Sequence, residues 1–279
     1  MTYKSITTIV HDPDRDCAHL DMALALAQRH DAHLHVLIAG IDQSDPGFYY
    51  AGANAIAVHE NHEEARNDAN ALETIVRQKL NHESATWSVQ SVTIAYNGLW
   101  PFLADAIRFH DLVVLPSPYQ GSSNHIDEAI FEACLFRANC PVIVTPETAV
   151  APGGFDSVMV AWDDSIQALR ATRAADPFIE ASRNTTLTII DPPATAPDRS
   201  DPGGQLAAYL ARGGASVDIS IQTRRQQSIA EQLLKGAIEK GAGLIVMGAY
   251  GHTRLREAIL GGATRDMLKT THLPVLMAH

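Results

Sequence analysis

The feature that most constrains this chain is a repeat, because a pattern that recurs along a sequence fixes the unit that must fold. Near residue 112 the sequence reads LVVLP, then a helical stretch, then NCPVIVTP. Near residue 244 it reads LIVMG, a helical stretch, then HLPVLMAH. Leu112 to Pro141 covers 29 steps and Leu244 to Pro274 covers 30, so the two stretches agree to within one residue. The openings agree as well. ITTIVHD and DSVMVAWDD are short apolar runs that end in acidic residues and lead into Ala/Leu-rich segments, and a second run follows each, HLHVLIAG or TLTIID.

Each half therefore reads as five strands alternating with four helices. The strands are continuous apolar runs rather than alternating ones, as a parallel sheet covered on both faces requires. Such a pattern predicts an α/β fold of two doubly wound parallel-sheet domains in tandem, with right-handed crossovers. A length of 279 residues suffices for two domains, and APGG at 151–154 is a natural linker, giving domains 1–150 and 151–279. A helix is expected over Ser228 to Lys240. Ser228 and Glu231 have capping-box spacing, Ile229, Leu233 and Ala237 share one face, and Gly241 stands at the stop. Two long insertions, residues 42–54 and 191–204, follow the second strand of each half, on the edge where α/β sheets bind ligands.

Composition excludes several classes. Hydrophobic content of 46% with 19% charged residues fits a globular protein, and no run of about eighteen apolar residues spans a membrane. The N-terminal run is too short for a secretory signal. Cys17, Cys134 and Cys140 form no CxxC pair, so cytoplasm is the expected compartment and core packing the expected role of the last two. Net charge of −11 disfavours nucleic acid or an anionic membrane as partner. Residues 1–150 carry 8 basic and 19 acidic residues, whereas the remaining 129 carry 13 of each. If one half holds an anion, electrostatics favours the second. His59, His62 and Glu63 share a helical face, yet four ligands are needed for a structural zinc site, so a solvated acidic face is expected and no metal site. No GxSxG, HExxH or P-loop signature is present, and no catalytic residue is assigned.

The chemistry-bearing segment is VMGAYGHTRLREAILGGATRDMLKTT. Gly248 follows a buried strand directly, Gly251 comes three residues later, and Gly261-Gly262-Ala263-Thr264 precede a short helix. Glycine after a strand permits a sharp turn or close approach, and amides at a helix start attract anions. Two such elements at one sheet edge suit a nucleotide, ribose at the first and phosphates at the second.

At these residues the chain resembles the universal stress proteins, whose motif is G-x2-G-x9-G-[S/T]. Gly248, Gly251 and Gly261 fit it, and the resemblance is specific over about the last fifty residues. It implies Rossmann-like domains of the adenine nucleotide alpha hydrolase type, ATP binding in many members, and dimers paired through the last strand, the two domains of a tandem member pairing in that way. It implies that Asp163 lies near the adenine and ribose and that Ile189 or Ile190 offers backbone groups to the adenine. Met247, Gly248 and Gly251 then line the ribose and phosphates, and Gly261, Gly262, Ala263 and Thr264 the outer phosphates, with Mg²⁺ as counter-ion.

One departure is Gly262, which replaces the usual Ser or Thr; a lost hydrogen bond to charge costs about 1.5–3 kcal/mol. The first half departs throughout. Pro116 stands for Gly248, Tyr119 for Gly251, and Glu128 and Ala129 for Gly261 and Gly262. The expectation is a stress-response or regulatory protein that binds ATP or a related adenine nucleotide in its second domain only, at most a slow ATP hydrolase, and able to form homo-oligomers. The alternative is a scaffold with a decayed site that binds another small ligand or a protein.

Overall fold

The computed structural model describes residues 2–13, 18–44, 54–147, 154–192, 201–226, 228–250 and 262–279. The first half runs β1 (Ser5–Val10), α1 (Ala18–His30), β2 (His33–Asp42), α2 (Asn54–Leu80), β3 (Trp87–Ala95), α3 (Leu99–Ile107), β4 (Leu112–Pro116), α4 (His125–Glu132) and β5 (Val142–Thr145), a π-type turn over Ala133–Arg137 prolonging α4. The second half repeats the series as β6 (Ser157–Ala161), α5 (Ile166–Ala174), α6 (Asp176–Ala181), β7 (Asn184–Ile190), α7 (Gly204–Arg212), β8 (Val217–Gln222), α8 (Ile229–Glu239), β9 (Leu244–Gly248), α9 (Gly262–Thr270) and β10 (Val275–Ala278). Where one helix is expected between β6 and β7 there are two, because Pro177 lacks the N–H a helix interior needs and sits instead in the first turn of α6.

All ten strands form one sheet, in the order β3-β2-β1-β4-β5-β10-β9-β6-β7-β8. Within each half the strands are parallel, and the chain direction of travel reverses between the first and fourth strands, so a switch-point crevice opens at their carboxyl ends. The halves join where β10 runs antiparallel to β5, with Val275, Leu276 and Met277 opposite Val144, Ile143 and Val142. The fold is thus a tandem of α/β, Rossmann-like units.

The apolar runs are continuous where both faces are covered. Residues 112–115 of β4 and 244–247 of β9 are all buried, whereas β3 and β8 at the two sheet edges are not, and Ile219 and Ile221 are about half exposed. A hydrophobic core lies on each side of the sheet, and both draw on both halves. Leu34, Ile38, Phe178 and Leu276 belong to one; Leu37, Leu135, Leu234 and Met277 belong to the other. Tyr3, His30, Phe155 and Phe178 add an aromatic bridge between the halves, with ring centroids 4.9–5.4 Å apart. The Tyr3 hydroxyl also donates to the carbonyl of Ala174.

Helix α8 has its expected extent, and Gly241 takes the left-handed conformation (φ +63°) at its end. The capping box does not form. Ser228 is the N-cap, yet its hydroxyl donates to the Asp266 carboxylate of α9 at 3.2 Å, a charged acceptor that outcompetes the local arrangement. Cys134 and Cys140 are free and buried, and Cys140 donates to the His110 carbonyl. Burial raises both thiols, that of Cys140 to about 12, so neither is a poised nucleophile. Among the described residues no helix is long and apolar enough to cross a membrane. Most of both insertions, Cys17, and the glycines at 251 and 261 lie outside the described residues.

Candidate functional site

At the carboxyl edge of the second half, beside the crevice between β6 and β9, lies a cavity of about 360 Å³, within the range of small-molecule sites. Its floor is one row of the sheet. Strand register places Met247 of β9, Ala161 of β6 and Thr188 of β7 side by side, and all three line the cavity. Ala161 contributes only a methyl between its larger neighbours, which leaves room above it. Ile190, Ile229 and Leu233 supply an apolar wall. Gly262, Ala263 and Thr264, the first turn of α9, also line the cavity, and the helix macrodipole there favours negative charge.

Asp163 lies at the rim. Its Oδ1 accepts from the Ser165 N–H at 3.1 Å, and Asp164 adopts φ +61°, so the chain turns sharply out of β6. Ser165 then caps α5, accepting from the Ala168 N–H at 3.0 Å. The turn fixes an exposed carboxylate beside the cavity, suited to accept from hydroxyl groups. Thr264 is buried, and its hydroxyl accepts from the N–H of Tyr250, itself in a left-handed conformation (φ +58°), at 3.3 Å. That bond ties the turn after β9 to the first turn of α9.

Of the residues singled out in the sequence, Asp163, Met247, Gly248, Gly262, Ala263 and Thr264 therefore surround one space. Gly251 and Gly261 lie outside the described residues, as do His252, Arg254 and Arg256. Ile189 is on the strand concerned, but alternation turns its side chain into the core on the other face of the sheet, while Thr188 and Ile190 face the cavity. Gly248 has a packing reason to be glycine. A Cβ there would stand 2.5 Å from the Ala168 nitrogen and 2.8 Å from the Gln167 carbonyl carbon, in the first turn of α5. For Gly262 the nearest such neighbour among the described residues is an Asp266 oxygen at 4.0 Å. Trp162, Thr188, Ile229, Leu233 and Tyr250 escaped the sequence reading, because a strand threonine and a helix face of Ile and Leu look like ordinary core.

The corresponding place in the first half is built differently. The N-terminus of α4 is satisfied by its own side chains: Asn124 Oδ1 accepts from the Ile126 N–H, and Asp127 Oδ2 from the Asn124 N–H, both at 2.8 Å. The other Asp127 oxygen lies 3.1 Å from His11 Nε2, with both side chains buried. Glu128 and Glu132 add negative charge; burial and the Glu128 carboxylate raise the Glu132 carboxyl above its ordinary range. Burial and the same Glu128 charge push the Tyr119 phenol up to about 12. The loop after β4 turns towards the other half instead. Ser117 Oγ donates to the Leu268 carbonyl at 2.6 Å, Gln120 Nε2 donates to the Thr271 carbonyl at 2.7 Å, and the Arg265 guanidinium lies 5.2 Å from the Tyr119 ring centre.

Among the described residues no group of three His, Cys, Asp or Glu side chains converges on a metal position. His59 and His62 are exposed, and His62 instead lies 3.6 Å from the Asp42 carboxylate.

A duplicated Rossmann-like sheet with a cavity at one switch point defines a class of small-ligand-binding α/β proteins. Residues 154–279, the second half of the chain, match the Universal stress protein family. A stretch of 47 residues is 38% identical to a universal stress protein of Methanocaldococcus jannaschii; it covers 17% of this chain and 29% of that relative, well under its full length. Over the whole molecule the fold resembles a universal stress protein from Archaeoglobus fulgidus, with a TM-score of 0.76, 16% identity, and 98% and 97% of the two chains covered. A functionally unknown protein from Pseudomonas aeruginosa shares the fold at a TM-score of 0.59 and 15% identity, over 99% of this chain and 92% of that one.

Proposed function

We propose that the chain is a cytoplasmic stress-response or regulatory protein that binds ATP or a related adenine nucleotide, one per chain, in the second-half cavity. The observation that carries the reading is convergence: Asp163 and Gly262–Thr264, about a hundred residues apart in sequence, line one cavity together with the apolar Ile190, Ile229 and Leu233. The geometry divides the labour. The apolar wall of Ile190, Ile229 and Leu233 receives the base, Asp163 receives ribose hydroxyls, and the first turn of α9 receives phosphate. Mg²⁺ accompanies the nucleotide as counter-ion to its phosphates rather than occupying a site of protein ligands.

The domain division at residues 150 and 151 belongs to this reading, with the first domain as a partner that lacks the same kind of site. Its helix start is capped by Asn124 and Asp127, and its carboxylates repel phosphate. The protein's task is binding rather than turnover. Calorimetric titration with ATP and Mg²⁺ should give one site per chain, weakened about tenfold or more in Asp163→Asn. Absence of heat from a folded sample overturns the reading and leaves the scaffold alternative.

A further inference from the structure

Strand β7 carries two threonines on the side of the sheet that faces the cavity, Thr186 and Thr188, and both are about 1% exposed. Neither Oγ1 has a hydrogen-bond partner among the described residues. Threonine can usually turn its hydroxyl to some acceptor, as Thr172 does to the Ala168 carbonyl at 2.8 Å and Thr8 to the Val114 carbonyl at 2.8 Å. An orphaned buried hydroxyl is costly unless something else satisfies it. The two differ in one respect. Thr186 lies two residues deeper and does not line the cavity, whereas Thr188 forms its floor beside Ala161.

Among the described residues that line the cavity with Thr188 are the apolar Ala161 and Met247 in its own row, Ile190 two residues along, and Ile229 and Leu233 from α8. Valine has nearly the same shape and would fill that floor without an unmet hydrogen bond. The Thr188 carbonyl is already engaged by the Trp162 N–H at 2.9 Å, so the side chain is the strand's polar offering at this point.

We propose that the Thr188 hydroxyl reads the polar edge of the ligand's ring, which makes the site selective for a heteroaromatic base. A hydroxyl can donate to a ring nitrogen or accept from an exocyclic amine, and a site built to hydrogen-bond a ligand rejects rings that lack the partner. The inference rests on the nucleotide reading above and adds the group that recognises the base.

The test is calorimetric titration of ATP with Mg²⁺ into the full chain and into Thr188→Val, Thr188→Ser and Thr186→Val, with thermal midpoints recorded without ligand. Thr188→Val should bind ATP about tenfold more weakly, while its midpoint stays level or rises because an unmet hydroxyl is gone. Thr188→Ser should stay within about threefold of wild type, and Thr186→Val should keep wild-type affinity. Equal ATP affinity in Thr188→Val and wild type, or the same loss in Thr186→Val, overturns the role of Thr188 alone. A wild type that takes no ATP overturns the nucleotide reading, and this inference with it.

Discussion

Two glycines that look alike in the sequence differ in what they do. Gly248 lines the cavity, and it also makes room for the first turn of α5. Gly248→Ala should therefore destabilise the protein by about 1–3 kcal/mol with no ligand present, measured as the denaturant midpoint, because backbone atoms of a packed helix cannot move aside cheaply. Among the described residues nothing packs closely where a Gly262 Cβ would stand. Gly262→Ser should leave stability within about 0.5 kcal/mol and raise ATP affinity about tenfold, by restoring a hydroxyl at the phosphate end. If instead Gly262→Ser leaves affinity unchanged, phosphate does not lie there. The sequence distinguishes neither case, since a glycine declares a missing side chain but not which neighbour needs the space. Asp163 was singled out through the resemblance to universal stress proteins at the end of β6, and it lines the cavity; Thr188 was not, because a strand threonine shows its missing partner only once folded.

At the scale of elements, α9 is the piece both halves share. Its first turn faces the cavity, and its last carbonyls are held by Ser117 and Gln120 of the first half. The loop that lost the glycine pattern has become a C-terminal cap for the helix that keeps it. Removing both caps in Ser117→Ala/Gln120→Ala should cost about 1–3 kcal/mol of stability and weaken ATP binding although neither residue touches the cavity, as thermal melts and titration would show. Unchanged affinity with lowered stability would mean that α9 is held by packing alone. Pattern fixed the number and order of the strands, because a strand buried on both faces must be a continuous apolar run, but it missed the break between α5 and α6. Capping was less legible. Ser228 and Glu231 had the right spacing, but the hydroxyl found Asp266 across the fold, and no local rule contains a partner 38 residues away.

For the molecule as a whole, histidines couple stability to acidity. His35 and His110 stack with centroids 5.1 Å apart, and both titrate below the ordinary value of 6.5. Burial is the main cause for each; the nearby His110 charge adds to it for His35, and the Ile107 carbonyl and Asp111 partly offset it for His110. His30 is lowered too, by burial and then by Arg29. A lowered folded value means that the unfolded chain binds protons first as pH falls. Stability should be flat above about pH 6.5 and decline below it as the folded values are approached, and His110→Asn should flatten that decline in melts followed against pH. The seam between β5 and β10 makes a second expectation. Residues 154–279 expressed alone would leave β10 an open apolar edge, so they should form a dimer in which two copies of β10 pair, visible as doubled mass in light scattering.

The antiparallel seam has one more consequence. Strands of the two halves point in opposite directions, so their carboxyl ends emerge at opposite poles of the molecule. The chain is consequently a polar object, with the second-half cavity at one end and the loop and helix of Tyr119, Asp127, Glu128 and Glu132 at the other. Contact made at the first-half pole therefore leaves the second-half cavity uncovered.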